Sequence, residues 1–500
     1  MLSTPNRPPR AKETTVKEIS DHELHSARHL RLTMLADPYR PAFHFVSPEG
    51  HAMPFDPNGN IYWRGRHHLG YIYQERGTHY WGHASSRDLL HWRHHQPGLF
   101  PTLDSPETGI FSGNSFLDKS GKRVICLYHG VGAGNCIAWS DDRALETWHK
   151  QEGNPIVPNP ADPEKADYTS WDPCGWIDKG IYYAVFGGQK NTVWKSKDLR
   201  RWTRCGPFLA HAYPGIDLAE DISCPDFFKL GEKWVMVCIS HRLGTRYYVG
   251  QWRNEQFHPE YHEMMSHGDN QFFAPESHTD DQGRRILFAW VLDGRNDAAR
   301  LPSGWSGMMS LPRVMQLGAD NRLLMTPVAE VEALRYNLVE RKEVKVPADG
   351  ETGIPFDAVA DNVLELEVEL TGNAAEFGVK VCCSPDGRQE TVIGFNAAEG
   401  KLFIDTSRTG PNQQLGKMIA GSQRQLVESA AMKLGKKEFL KLRVFVDRCM
   451  VEVFANEGRQ ALSRVVYPTK GSTGIKLYAK GGRAKASGVR VWDMMPTNPY

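Results

Sequence analysis

The spacing of apolar and polar positions along this chain changes twice. Between about residues 16 and 35, Leu24, Ala27, Leu30 and Met34 recur at helical intervals. That predicts one helix from Val16 to Leu35, ended by Pro38 and Pro41. From about 40 to 330 helical periodicity fades, and short β-like runs are cut by Gly, Pro and Asp. From about 340 a strict alternation takes over. Leu364–Leu370 reads Leu-Glu-Leu-Glu-Val-Glu-Leu, and Phe377–Cys383, Lys401–Asp405, Leu440–Val446, Met450–Phe454, Gly474–Tyr478 and Val489–Trp492 follow it. Half-buried strands at this density predict a β-sandwich.

The middle stretch contains a repeat. Ser86-Arg-Asp88-Leu-Leu-His-Trp92 returns as Ser140-Asp-Asp142-Arg-Ala-Leu-Glu-Thr-Trp148 and again as Ser196-Lys-Asp198-Leu-Arg-Arg-Trp202. The three Asp residues are 54 and 56 positions apart, and each copy follows a β-like run. Such a period, built only of short strands, marks a β-propeller with one four-stranded blade per repeat. The stretch holds about five periods. The Asp closes a turn and the Trp packs between blades. The expected architecture is all-β: an N-terminal tail and helix (1–39), a five-bladed β-propeller (40–330), a short helix-like linker at Val328–Leu338, and a β-sandwich (340–500).

Composition narrows the function classes. A chain of 500 residues exceeds one ordinary core. Lys+Arg 60 against Asp+Glu 59 leaves a net charge of +1, so there is no basic excess with which to bind nucleic acid. No apolar run approaches the roughly 20 residues of a membrane span. The 14 Trp and 17 Tyr supply flat surfaces suited to sugar rings. Residues 1–15 read as a disordered, polar tail. Met1 to Lys12 lacks the apolar centre of a signal peptide, which gives a cytoplasmic expectation unless the chain was trimmed. The nine cysteines form no Cys-x-x-Cys pair and read as buried, reduced thiols.

The chemistry centres on Phe55-Asp56-Pro57-Asn58-Gly59. Asp56 ends one β-like run, and Pro-Asn-Gly supplies the fixed φ and the positive φ of a tight turn. A carboxylate held there between aromatic runs can face a small polar ring. His79, His83, His91, His94 and His95 lie across a strand and a turn, without the Cys or Glu that would complete a metal site. Gly130-Val-Gly-Ala-Gly134 lacks the Lys-Ser/Thr of a phosphate loop and reads as a hairpin. The sequence calls for no metal and no cofactor, and it sets no oligomeric state.

Motifs along nearly the whole chain give a resemblance. They are Phe43-His44-Phe45, Asp56-Pro-Asn-Gly59, Tyr73-Gln74, Trp81-Gly-His-Ala84, Phe111-Ser-Gly113, Asp172-Pro173, Cys224-Pro-Asp-Phe-Phe228, Leu311-Pro-Arg313, Phe445-Val-Asp-Arg448 and Val451-Glu-Val-Phe-Ala455. Their order and spacing resemble glycoside hydrolase family 32, the β-fructofuranosidases. The resemblance implies retaining hydrolysis of terminal β-fructofuranosides, such as sucrose or fructans, by double displacement. Asp56 then matches the nucleophile, and Asp172 the acidic residue that grips ring hydroxyls and stabilises the transition state. Gln74, Trp81, Phe111, Ser112 and Trp305 match positions lining the sugar pocket. Glu276 is a further acidic candidate for its rim.

Three positions depart from the family pattern. Ser223 stands where the general-acid Glu is usual, Trp171 where Arg is usual, and Phe55 where Asn is usual. The two aromatic replacements remove hydrogen-bond donors and add apolar area near the sugar. Serine cannot protonate a glycosidic oxygen at neutral pH. Glu220 and Asp221 lie just upstream: strand alternation favours Asp221, while side-chain reach and the family's use of Glu favour Glu220. The expected assignment is Glu220 as acid/base, with Asp221 on a substrate hydroxyl. Two alternatives stand beside hydrolysis: a fructosyltransferase or other furanosidase, and a carbohydrate-binding protein that has lost activity.

Overall fold

The computed structural model describes residues 21–48, 50–75, 77–411 and 415–498. The disordered-tail expectation and the first residues of the predicted helix lie outside these. The helix runs Asp21–Ala36, and its Met34 is buried against the domain that follows.

Five antiparallel sheets come next. Their innermost strands are Pro57–Trp63, Ile110–Leu117, Pro173–Asp178, Ser223–Leu230 and Phe272–Thr279. Each innermost strand lies against the next, and the fifth lies against the first, so the ring closes as a propeller. The closure is stitched by the chain before the first sheet. Gly50–His51 pairs in parallel with Trp305–Ser306, Val46 bridges Met308, and the Met309 N–H donates to the Phe45 carbonyl at 2.8 Å. Pairing the chain's start with the last sheet removes the open edge that an unclosed ring would leave.

The repeated Ser-x-Asp…Trp segments form the same turn three times. Asp88, Asp142 and Asp198 accept backbone N–H groups from the residues that follow them. Leu89, Leu145 and Leu199 each adopt left-handed φ (64°, 54° and 65°), and their carbonyls accept the indole N–H of Trp92, Trp148 and Trp202. The repeat therefore encodes turns on the outer strands.

Beyond the propeller, the helix-like linker is only a short 3-10 turn, Ala329–Leu334. Strand Arg335–Arg341 already belongs to the next sheet, because its edge pairing with Ala484–Met494 overrides local propensity. Seven- and six-stranded sheets then face each other across a Val-, Leu- and Ile-rich core, as a β-sandwich.

The two modules are joined by buried charge. Asp447 accepts the backbone N–H groups of Ala42, Phe43 and His44 (2.6, 2.9 and 2.8 Å) and pairs with His44 Nδ1 at 2.9 Å. Glu452 takes His44 Nε2 at 3.2 Å, the Leu311 N–H at 2.7 Å and the Arg313 guanidinium. Four of the motifs carrying the resemblance thus meet at one interface.

Candidate active site

The innermost strands begin at one end of the propeller, and four of the five carry a register shift near that start. The shifts fall between Asn58 and Ile61, Ile110 and Gly113, Ser223 and Asp226, and Phe273 and Glu276. Three of them contain a left-handed residue: Gly59 (φ 63°), Cys224 (φ 44°) and Ala274 (φ 46°). Such bulges bend a strand and re-aim its side chains, and here they turn polar groups toward the axis.

Asp56 and Asp172 meet there. Cys224 Sγ lies 3.7 Å from Asp56 Oδ2 and 3.6 Å from Asp172 Oδ2, so two carboxylates from separate sheets flank one thiol. Ser112 Oγ donates to Asp56 Oδ2 at 3.3 Å, and the Cys224 N–H donates to Asp172 Oδ2 at 2.9 Å. Asp56 Oδ1 is buried without a hydrogen-bond partner among the described residues. Burial, reinforced by the Asp172 charge, lifts the Asp56 carboxyl to about 7. Burial also raises Asp172, against the Cys224 N–H and the nearby His129 and His241. A carboxylate with a free oxygen beside a second carboxylate can attack an electron-poor carbon while its neighbour stabilises positive charge.

The wall over this pair is aromatic. The Trp171 ring lies 4.7 Å from His129 and 6.2 Å from Phe111, and Phe111 lies 4.7 Å from His79. Gln74 is part-buried nearby, its amide bonded to His79 Nε2 at 2.8 Å and to the Met53 carbonyl.

Several expected residues play other parts. Trp81 is buried, packs under Gly59 and Gly70, and donates its indole N–H to the Phe111 carbonyl at 2.9 Å, so it supports the wall from behind. Trp305 is wholly buried, with its indole N–H on Asp37 Oδ2 at 2.6 Å and Arg295 over its ring. It belongs to the ring closure and not to the pocket. Phe55 is also fully buried, stacked on Phe45 at 6.1 Å and pressed against Gly307, so it adds no apolar surface for a sugar. Glu276 does not sit on a rim. It is buried under the Asp56 turn, accepting the Asn60 N–H at 3.3 Å.

Glu220 is bound to groups other than Ser223. Its carboxylate is held by the Ser240 hydroxyl and the Arg242 guanidinium, with Arg246 Nη1 at 3.9 Å. Both of its oxygens are therefore engaged by protein donors. Asp221, two residues before Ser223, accepts the Ser223 hydroxyl at 2.8 Å, as strand alternation expects, whereas Glu220 faces the other way. Sequence reasoning did not single out Cys224, His129 or His241 as site residues. Cys224 stood inside a quoted motif. His241 could be found only from register, since Ser223 pairs with Ile239 and two further steps set Asp221 opposite His241.

Comparison with known proteins gives the family. The family model for the glycosyl hydrolases family 32 N-terminal domain matches residues 44–327, and that for the family 32 C terminal matches residues 330–493. The chain belongs to glycoside hydrolase family 32. Within that family it is similar to a levanase of Bacillus subtilis, 31% identical over 92% of this chain and 72% of the relative. It is also similar to a sucrose-6-phosphate hydrolase of Zymomonas mobilis, 27% identical over 93% of this chain and 94% of the relative. Among solved structures, fructan 1-exohydrolase IIa from Cichorium intybus matches 92% of this chain and 98% of its own, with a TM-score of 0.79 at 22% identity. The propeller-plus-sandwich architecture is thus the family 32 fold, and the chain is a glycoside hydrolase.

Proposed function

We propose that this enzyme removes terminal β-fructofuranosyl units from sucrose or fructans with retention, Asp56 acting as nucleophile and Asp172 as the transition-state carboxylate. The observation that carries the reading is the meeting of these two carboxylates at Cys224, with Asp56 Oδ1 left unpartnered. In the first step an Asp56 oxygen attacks the anomeric carbon. The glycosidic C–O bond breaks, the departing oxygen keeps the electron pair and takes up a proton, and a fructosyl ester forms. Asp172 accepts hydrogen bonds from ring hydroxyls and favours the positive charge that builds on the ring. Water then attacks the same carbon, giving up one proton, and the ester electrons return to Asp56. The Phe111 and Trp171 rings flank the sugar, and Gln74 and Ser112 offer polar contacts beside it. The Cys224 thiol, held protonated by burial and the two carboxylates, donates weakly to both.

The levanase, sucrose-6-phosphate hydrolase and fructan exohydrolase relatives support a fructoside as substrate. The test is incubation with sucrose, inulin and levan. Free fructose as the main product supports hydrolysis. Longer oligomers would replace it by transfer, and binding without products would overturn the reading.

A further inference from the structure

The departures at Trp171 and Ser223 are not independent. The Trp171 indole N–H donates to Ser223 Oγ at 3.1 Å, and Ser223 Oγ donates to Asp221 Oδ1 at 2.8 Å. Asp221 Oδ2 receives His241 Nδ1 at 2.6 Å and the His241 backbone N–H at 3.1 Å. The residues standing in place of the usual Arg and Glu therefore form a chain that ends on a histidine. Its other ring nitrogen, Nε2, bonds no described residue, and the side chain is half-exposed. The ring stands close enough to Asp56 and Asp172 for its charge to bear on both.

We propose that the His241 imidazole, oriented by Asp221, is the proton donor and acceptor of this site, in place of a carboxyl at the Ser223 position. The proposal rests on the fructoside-hydrolase reading above. In the first step the Nε2 proton passes to the glycosidic oxygen as the C–O bond breaks, and a neutral imidazole and an alcohol result. In the second step Nε2 takes a proton from the attacking water, and the imidazolium is restored as the ester electrons return to Asp56.

Electrostatics suit the role. The hydrogen bond to Asp221 raises the His241 imidazole above its ordinary value despite partial burial, and the Asp221, Asp172 and Asp56 charges add to it. Arg242, next in the chain, is paired with Glu220, and the Phe273 ring lies 6.3 Å away. Burial works to raise Asp221, but the bonds from His241 and Ser223 hold it lower, so it stays a carboxylate beside an imidazolium. This pairing fixes the imidazole so that Nε2 is the exchanging nitrogen. Asp221 is a positioning residue, and Glu220 a structural one.

The experiment compares leaving groups. Sucrose needs its departing oxygen protonated, whereas 4-nitrophenyl β-fructofuranoside leaves as a stable phenolate. His241→Gln is expected to lower kcat/KM on sucrose about 10³-fold and on the aryl fructoside less than about 10-fold. Added imidazole should restore part of the sucrose activity of His241→Ala. Asp221→Asn should move the alkaline limb of the sucrose pH profile to lower pH. If wild type releases fructose from neither substrate, the fructoside reading falls and the proposal with it. If wild type cleaves both while His241→Gln slows both equally or neither, the proposal is overturned and the reading stands. A leaving-group-dependent loss in Glu220→Gln, with His241→Gln unaffected, would likewise overturn it.

Discussion

At the scale of single residues the site works against its own stability. Asp56 must be ionised to attack, yet burial and the neighbouring Asp172 lift its carboxyl to about 7. Because the folded value lies above the unfolded one, the unfolded chain loses its proton first as pH rises. Stability therefore falls from about pH 4 upward, and the loss is complete above about pH 7. Linkage sets the full difference at up to roughly 4 kcal/mol. Asp56→Asn should accordingly abolish fructose release while raising the melting temperature at pH 8, with a much smaller gain at pH 4. Thermal melts at the two pH values check this, and a variant less stable at pH 8 would contradict it. In wild type the acid limb of kcat/KM should fall as pH drops below about 7, read from a pH series on one fructoside.

At the scale of elements, the site depends on how strands begin. Gly59, at φ 63°, lets the Asp56 turn enter its strand, and a Cβ there would meet the Trp81 ring at 2.6 Å. Gly59→Ala is expected to cost about 2–4 kcal/mol, from overpacking and the left-handed backbone together. It should also lower kcat, since the same turn carries the nucleophile. Denaturant unfolding beside steady-state kinetics measures both effects. Much at this scale was legible in the sequence. The Ser-x-Asp…Trp repeat gave the outer turns, the alternation past residue 340 gave the sandwich strands, and Asp-Pro-Asn-Gly marked the turn carrying Asp56. What escaped was what lies between strands. Glu220 was preferred over Asp221 by reach and family habit, although period-two alternation already placed Asp221 on the side of Ser223. His241 is 18 residues from Ser223 in sequence and becomes its neighbour's partner only through the ladder with Lys233–Ser240. Trp305 reads in sequence as a pocket residue and Phe55 as apolar area near the sugar because aromatics serve both sugars and cores, and only packing separates the two uses.

At the scale of the whole molecule, the buried network of His44, Asp447, Glu452 and Arg313 welds propeller to sandwich. Burial alone would lower the His44 imidazole, but its bonds to Asp447 and Glu452 carry it to about 9. A raised histidine stabilises the fold fully below about pH 6.5, and that contribution is lost as pH climbs through about 9. It amounts to roughly 3 kcal/mol. His44→Gln should therefore be less stable than wild type at pH 6, with the difference narrowing by pH 10, as followed by calorimetry. Arg313→Met leaves Glu452 short of its strongest countercharge at the same joint and should cost about 3–5 kcal/mol. The ring, closed by pairing of the chain's start with its last sheet, brings Asp56 and Asp172 together from residues 116 positions apart. The most direct test of that convergence is an NMR time course of cleavage in the presence of methanol. Attack by Asp56 with retention predicts β-fructofuranose as the first-formed anomer and methyl β-fructofuranoside as the trapped product. First formation of the α-anomer, or no release of fructose from a fructoside that binds, would contradict it.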